Sequence, residues 1–137
     1  MSNITPSRTS TALPWLVFLY GAASLLHFAH NAEYLADYPN LPASFTRLQI
    51  YLAWCAIGAV GVLGYVLFQR GKRLVGLSVL AVYAALGFDG FLHYTRAPFA
   101  AHTTMMNVTI VLEAVAAGAL LVAVFSLVVR CVASPSA

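Results

Sequence analysis

The chain has 137 residues, of which 61% are hydrophobic and 8% are charged, and its mean hydropathy is +0.85. Soluble domains carry about 25% charged residues, so this composition excludes an ordinary soluble domain and favours a protein that folds in a bilayer. The net charge of +3 comes from basic residues spread over the connections and ends. There is no basic stripe and no nucleic-acid motif, so nucleic acid is not expected as a partner.

Residues 1–12 are small and polar, and we expect them to form a flexible tail. The apolar run that follows is longer than the h-region of a signal peptide, so it is expected to be a retained helix. Each of four apolar segments has roughly the 20 residues needed to cross about 30 Å of hydrocarbon. We predict one domain at 13–130 and a C-terminal tail at 131–137, with helices at about 13–35, 44–69, 73–95 and 103–130.

The connections between these segments are short, which predicts an all-α, integral membrane four-helix bundle with an up-down-up-down arrangement. We expect Ser44 to cap the second helix, and Thr103 or Thr104 to cap the fourth. Small residues within the helices would let backbones approach closely in lipid. Such faces could also pack against a second copy of the chain.

The distribution of Lys and Arg predicts the orientation. Two basic residues, Arg47 and Arg96, fall on one side of the predicted bundle. Five fall on the other side: Arg8, Arg70, Lys72, Arg73 and Arg130. This excess places both termini in the cytoplasm. We therefore expect a multi-pass protein of the inner (plasma) membrane whose loops around Pro39 and Pro98 face the periplasm or the outside.

Ionisable residues cluster in the outer half of the predicted bundle, starting from the segment 24–42. Ionisable side chains within a spanning segment cost free energy and are usually retained for a function. With a rise of 1.5 Å per residue, His27, Asp89 and Glu113 lie roughly 9–15 Å below the outer boundary. The helical spacing predicts that they face a shared polar cavity that opens outward.

Imidazole and carboxylate groups at such spacings on facing helices are typical of metal sites in bundles. Our predicted metal ligands are His27, His30, Asp89 and His93. Zinc or iron is the expected metal, with copper as a further option. Glu113 and Asp89 are the predicted catalytic groups. The residues expected to orient ligands or substrate are Asn31, Tyr34, Gln49 and Asn107. We expect His102 to be a solvated residue near the start of the fourth helix.

Three functions fit this pattern. The first is a metal-dependent enzyme, such as a hydrolase or oxidoreductase, acting on a hydrophobic or lipid-like molecule. The second is a redox protein with haem b held by His93 and either His30 or His27. The third is a metal-free pocket that binds or isomerises a sterol or lipid; this layout is similar to the emopamil-binding type of sterol isomerase, although none of its motifs occurs here. A fourth alternative is a small membrane subunit whose polar groups contact a partner protein.

Overall fold

The computed structural model describes residues 8–133, with side chains described from residue 11 onward. The predicted tails lie partly outside this range, at residues 1–7 and 134–137. The α-helices are α1 (Arg8–Glu33), α2 (Arg47–Gln69), α3 (Arg73–Leu86), α4 (His93–Arg96) and α5 (Thr104–Ala133). Short 3-10 helices lie at Leu35–Asp37, Asp89–Leu92 and Phe99–Ala101.

Four helical stretches are long and apolar enough to cross a membrane, with mean hydropathies from 1.5 to 2.5. They are Thr11–Glu33, Arg47–Gln69, Arg73–Arg96 and Thr104–Ala133. The predicted all-helical class and its four apolar spans are therefore confirmed. The orientation in the membrane and the cytoplasmic location of the termini stay predictions.

The four spans pack as a ring. α1 packs against α2 and α5, and α3 packs against the same two helices. The largest buried cluster lies toward the end of the bundle where α1 begins and α5 ends, and it includes Tyr20, Leu77, Leu80, Leu120 and Val124. The polar residues predicted to share a layer lie toward the other end of the bundle, where the loops after α1 and α4 meet.

α2 and α3 approach each other through glycines. A Cβ atom at Gly76 would overlap the backbone of Phe68, and a Cβ atom at Gly64 would lie 2.9 Å from Leu80 Cγ. Close backbone packing of this kind is typical of helices in lipid. There, helix association depends on van der Waals contact, and small residues allow the backbones to approach. These two glycines therefore serve packing within the chain.

The cap of α2 differs from the prediction. Thr46, and not Ser44, is the N-cap residue. Its hydroxyl accepts from the Gln49 N–H at 3.3 Å, while the Gln49 side chain accepts from the Thr46 N–H at 2.9 Å. This reciprocal capping box satisfies two donors at once. At the start of α5, the Thr103 hydroxyl accepts from the Met106 N–H at 3.3 Å, which agrees with one of the two caps expected there.

The third span is not a continuous α-helix to residue 95, as the sequence predicted. α3 ends at Leu86, and the chain continues through Gly87 and Phe88 into the 3-10 helix Asp89–Leu92. Gly87 packs directly on Tyr20, whose Cε2 would lie 2.6 Å from a Cβ atom there. Irregular backbone at membrane depth is tolerated where it is buried in protein or lines a cavity. The directions of the Asp89 and His93 side chains are therefore set by the packing of this interrupted segment and not by a continuous α-helical repeat.

Candidate functional site

A cavity of about 230 Å³ lies between α1, α2 and the segment 89–96. Its polar lining comes from His27, Asn31, Gln49, Asp89, His93 and Arg96. Its apolar lining comes from Phe28, Leu41, Phe45, Ile50, Ala53 and Leu92. The cavity thus combines three of the predicted metal ligands with two of the residues expected to orient a ligand, on walls that are largely apolar.

His27 is 2% exposed and is held from both sides by α5. Its Nδ1 atom lies 3.4 Å from Thr109 Oγ1, and its Nε2 atom lies 3.8 Å from Glu113 Oε2. The Thr109 hydroxyl also donates to the Met106 carbonyl at 3.0 Å. His27 therefore contacts α5 through both of its ring nitrogens, Nδ1 at Thr109 and Nε2 at Glu113.

His93 lies against His27 from the third span. The two ring centroids are 5.7 Å apart, in an edge-to-face arrangement. Asn31 Nδ2 lies 3.4 Å from His93 Nε2, so the Asn31 amide orients the His93 ring. The ring of Tyr38 also packs on His93, at 4.9 Å between centroids. His93 is thus fixed by α1 and by the loop that follows α1.

His30 does not line the cavity with His27. Its Nδ1 atom is hydrogen-bonded to the Tyr38 hydroxyl at 2.9 Å, and its ring stacks on Tyr34 at 4.7 Å. Tyr38 is 3% exposed, and this burial raises the pKa of its phenol above the ordinary value because the charged form is disfavoured. The loop after α1 therefore occupies His30, and Tyr34 contributes only a half-exposed stacking ring.

His102 differs from the expectation of a solvated residue. It is 6% exposed, its Nδ1 atom lies 3.1 Å from the Pro98 carbonyl oxygen, and its ring contacts His93 at 6.2 Å between centroids. Asn107 donates to the His102 carbonyl at 3.4 Å and accepts from the Tyr94 hydroxyl at 2.9 Å. Asn107 therefore organises the loop before α5 and does not reach the cavity.

Glu113 is fully buried, and the hydroxyl of Ser24, on α1, lies within hydrogen-bonding reach of its carboxylate and of the Tyr20 hydroxyl. Tyr20 and Ser24 are buried as well. Sequence reasoning missed Tyr20 and Ser24. Their signal was the spacing, since Tyr20, Ser24 and His27 are separated by four and three residues and lie on one face of a helix.

Within residues 8–133, no group of three or more His, Cys, Asp or Glu side chains is arranged so that it could hold a metal ion. His27, Asp89 and His93 share the cavity, but His30 is turned toward Tyr38. The predicted four-ligand set is therefore not assembled by the side-chain positions in this structure.

The chain matches no protein-family model, no curated protein and no solved structure in the comparisons. Its class therefore follows from its fold alone. It is an all-helical bundle with four helices that could cross a membrane, and it carries, near one end, a cavity with polar groups on largely apolar walls. Beyond this class, its activity has to be inferred from the cavity.

Proposed function

We propose that this membrane protein binds the polar end of an amphipathic molecule and acts on it by acid–base chemistry. The observation that carries the proposal is the composition of one cavity. Two imidazoles and a carboxylate, from His27, His93 and Asp89, share it with the apolar walls of Phe28 and Ile50. Ligand sites commonly pair mostly apolar walls with a few convergent polar groups.

The size of the cavity limits the occupant. At about 230 Å³ it is smaller than the roughly 300–1,000 Å³ typical of pockets that enclose a whole drug-sized ligand. We therefore expect it to hold a head group or a short polar end, with an attached chain lying in the lipid. Leu41 and Phe45 lie on the loop before α2 and contribute apolar contacts, and Arg96 supplies a cation.

The groups in the cavity can exchange a proton with such a ligand. A neutral imidazole offers one donor and one acceptor, and a carboxylate is an acceptor. Asp89 makes no ion pair with the described residues, and its carboxylate accepts from the neighbouring Gly90 N–H. His93 is oriented by Asn31. We assign Asp89 as the general base and His93 as the group that binds or protonates the ligand.

A photoactivatable ligand tests the binding step. The probe is a 16-carbon alcohol with a diazirine next to its hydroxyl end, added to the protein in lipid nanodiscs, with crosslinks mapped by mass spectrometry. We expect labelling near Phe28 and Ile50 that falls at least fivefold in Ala53→Trp, which fills the cavity. Ala56→Trp, at an exposed position of the same helix, is the matched control. Labelling that is spread over the lipid-facing residues and unchanged in Ala53→Trp would contradict the proposal.

The chemical step has its own readout. Purified protein is incubated in D₂O with total lipids from the membranes in which it was expressed, and the lipids are compared by mass spectrometry. We expect a new or deuterium-labelled species with the wild type but not with Asp89→Asn, which keeps the shape of the side chain. Identical lipid profiles for the two proteins would leave only a binding function.

A divalent transition metal is a second candidate, and the contact between His27 and His93 favours it. Zinc lies about 2.0–2.1 Å from imidazole nitrogen and takes four tetrahedral ligands, so two such ligand atoms are roughly 3.3 Å apart. His27 and His93, with ring centroids 5.7 Å apart, would have to turn from their present partners to bring two nitrogens to that spacing, and Asp89 or Glu113 would complete the site. In this form the protein would be a metal-dependent enzyme acting on the same lipid-like molecule.

Elemental analysis combined with a visible spectrum separates these candidates. Near-stoichiometric zinc, iron or copper that is lost in His27→Ala/His93→Ala would support the metal enzyme. A Soret band would support haem b, which would require the cavity to enlarge because Tyr38 and His27 both pack on His93. Neither signal in a folded protein would favour the metal-free reaction.

A further inference from the structure

One cation that lines the cavity has no partner of opposite charge. Arg96 is the last residue of α4 and contributes to the cavity wall. No Asp or Glu among the described residues lies within ion-pairing distance of its guanidinium. The guanidinium is close enough to His93 for its charge to act on that ring. A positive charge at a cavity without a paired counter-charge favours a negatively charged group on the ligand.

The second basic residue at this end of the bundle is already neutralised. Arg47, in the first turn of α2, pairs with Glu33 at 3.0 Å, and Glu33 also accepts from the Tyr51 hydroxyl at 3.0 Å. Neither Arg47 nor Glu33 lines the cavity. Within the described residues at this end, Arg96 is therefore the basic side chain that is available to a ligand.

Gln49 adds a neutral donor beside the cavity. Its Oε1 atom accepts from the N–H and the hydroxyl of Thr46, at 2.9 Å and 3.1 Å. Its amide nitrogen, which can only donate, makes no hydrogen bond to the described residues. Gln49 lies in the first turn of α2 and Arg96 at the end of α4, so both are at the same end of the cavity. We call this end the mouth of the cavity.

Beyond the mouth, the wall of the cavity becomes apolar. Ile50 and Ala53 follow Gln49 on α2, and Ala53 lies about 6 Å further along the helix axis. On α1, Phe28 lies about one turn further into the bundle than Asn31. Donors at the mouth and an apolar wall beyond it match an amphiphile whose head group is at the mouth and whose chain points into the bundle.

Asp89 limits the charge that the ligand can carry. It lines the same cavity and is seven residues before Arg96, which corresponds to roughly 10–12 Å along the segment. Arg96 can balance one negative charge, whereas a second would be repelled by the Asp89 carboxylate. The planar guanidinium also binds a planar carboxylate through two parallel hydrogen bonds. These features favour a carboxylate over a phosphate monoester, which carries a charge of about −1.5 to −2.

We propose that the ligand of the cavity is a long-chain carboxylate whose head group is bound by Arg96 and Gln49. This inference rests on the function proposed above, because it names the amphipathic molecule that the cavity takes. With the carboxylate at the mouth, the first carbon atoms of the chain lie beside His93 and Asp89, the two groups assigned to acid–base chemistry.

Three photoactivatable probes that differ only in the head group test the charge of the ligand. Each has 16 carbon atoms and a diazirine next to a carboxylate, an alcohol or an ammonium group. Each is added at the same mole fraction to the protein in phosphatidylcholine nanodiscs at about pH 9, where the acid and the amine are both charged. Labelling of the cavity is normalised to labelling of Leu48, an exposed residue in the first turn of α2. We expect at least fivefold more labelling by the acid than by the alcohol, and the least by the amine.

Variants connect this preference to the mouth. Arg96→Gln should reduce labelling by the acid to the level of the alcohol in the same variant, whereas Arg96→Lys should keep part of the preference because it keeps the charge. Gln49→Glu should lower labelling by the acid at least fivefold, since it keeps the capping oxygen and replaces the donor by a negative charge. Arg47→Gln is the matched control, because Arg47 does not line the cavity, and it should keep the full preference.

Unlabelled competitors separate a lipid head group from a free anion. Hexadecanoate should displace the acid probe at a concentration at least tenfold lower than acetate or hexadecyl phosphate. Equal displacement by acetate would show that the chain contributes nothing and would overturn the proposal of a long-chain ligand. Stronger displacement by hexadecyl phosphate would overturn the choice of a carboxylate.

The probes also distinguish failure of this inference from failure of the proposed function. Equal labelling of the cavity by the acid and the alcohol would overturn the carboxylate and leave the binding of an amphiphile standing. A preference for the amine would mean that Asp89, and not Arg96, sets the charge of the ligand. A preference for the acid that survives Arg96→Gln would place the carboxylate elsewhere. No labelling of the cavity by any of the three probes would contradict both proposals.

Discussion

The Nε2 atom of His27 and the Oε2 atom of Glu113 lie 3.8 Å apart, and both side chains are almost fully buried. A charged side chain at the centre of a membrane helix costs about 2.5–3.5 kcal/mol on insertion scales. The two residues join α1 to α5, and His27 also lines the cavity. This pair therefore connects the cavity to the buried interior of the bundle.

Thr109→Val tests how His27 is held. Valine keeps the shape of threonine but removes the hydroxyl that contacts His27 Nδ1 at 3.4 Å and donates to the Met106 carbonyl at 3.0 Å. Since both bonds are lost, we expect unfolding to require about 2 kcal/mol less free energy. Thr95→Val is the matched control, because Thr95 is exposed and bonds only to the Leu92 carbonyl. Reversible unfolding in mixed micelles measures both, and equal effects would contradict the role of Thr109.

Tyr38→Phe tests the contact that diverts His30. The change removes the hydrogen bond at 2.9 Å and should destabilise the protein by about 1 kcal/mol. Tyr34→Phe, at an exposed ring that stacks on His30, should change the stability by less than about 0.5 kcal/mol. Thermal unfolding compares the two variants. An equal or larger effect of Tyr34→Phe would contradict the role of the Tyr38 hydrogen bond.

The burial of Tyr38 predicts a loss of stability at alkaline pH. Its pKa is raised in the folded protein, so the folded state keeps a proton that the unfolded chain releases near pH 10. The contribution of Tyr38 is therefore present below about pH 10 and is lost as the pH rises beyond it. Unfolding measured from pH 8 to 11 should show a steeper fall for the wild type than for Tyr38→Phe. Parallel curves would contradict the raised pKa.

Gly76→Ala tests the packing of α3 on α2. A Cβ atom there would overlap the Phe68 backbone, so the helices must move apart, at a cost of about 1–3 kcal/mol. Gly58→Ala is the matched control on α2, because a Cβ atom there meets nothing within 4 Å. It should be neutral or stabilise the protein by up to roughly 1 kcal/mol. Unfolding in mixed micelles should separate the two variants clearly, and equal stabilities would contradict the close approach.

The predicted orientation is tested by cysteine labelling in intact cells. In a background with Cys55→Ala and Cys131→Ala, single cysteines are placed at Ala43 and at Lys72, which are both exposed. A membrane-impermeant maleimide should label position 43 in intact cells and position 72 only after permeabilisation, since the basic loop is expected inside. The reverse pattern would place the cavity on the cytoplasmic side.

Part of the site could be predicted from the sequence because it depends on position along the spans. His27, Asp89 and His93 were expected in the same half of the bundle, and all three line the cavity. His30 could not be placed in this way, because its partner Tyr38 comes from a loop whose path depends on packing. His102 was misjudged for the same reason, since the fold of the loop before α5 buries it.

The sequence by itself determined the four apolar spans and the position of the ionisable residues along them. Hydropathy is a property of each segment, and lipid leaves the backbone few alternatives to a helix. Only the tertiary structure decided which polar groups meet. The rotation of each helix, the interruption at Gly87 and the return of Tyr38 depend on contacts between distant residues. These contacts separated His30 from the cavity and brought Tyr20 and Ser24 to Glu113.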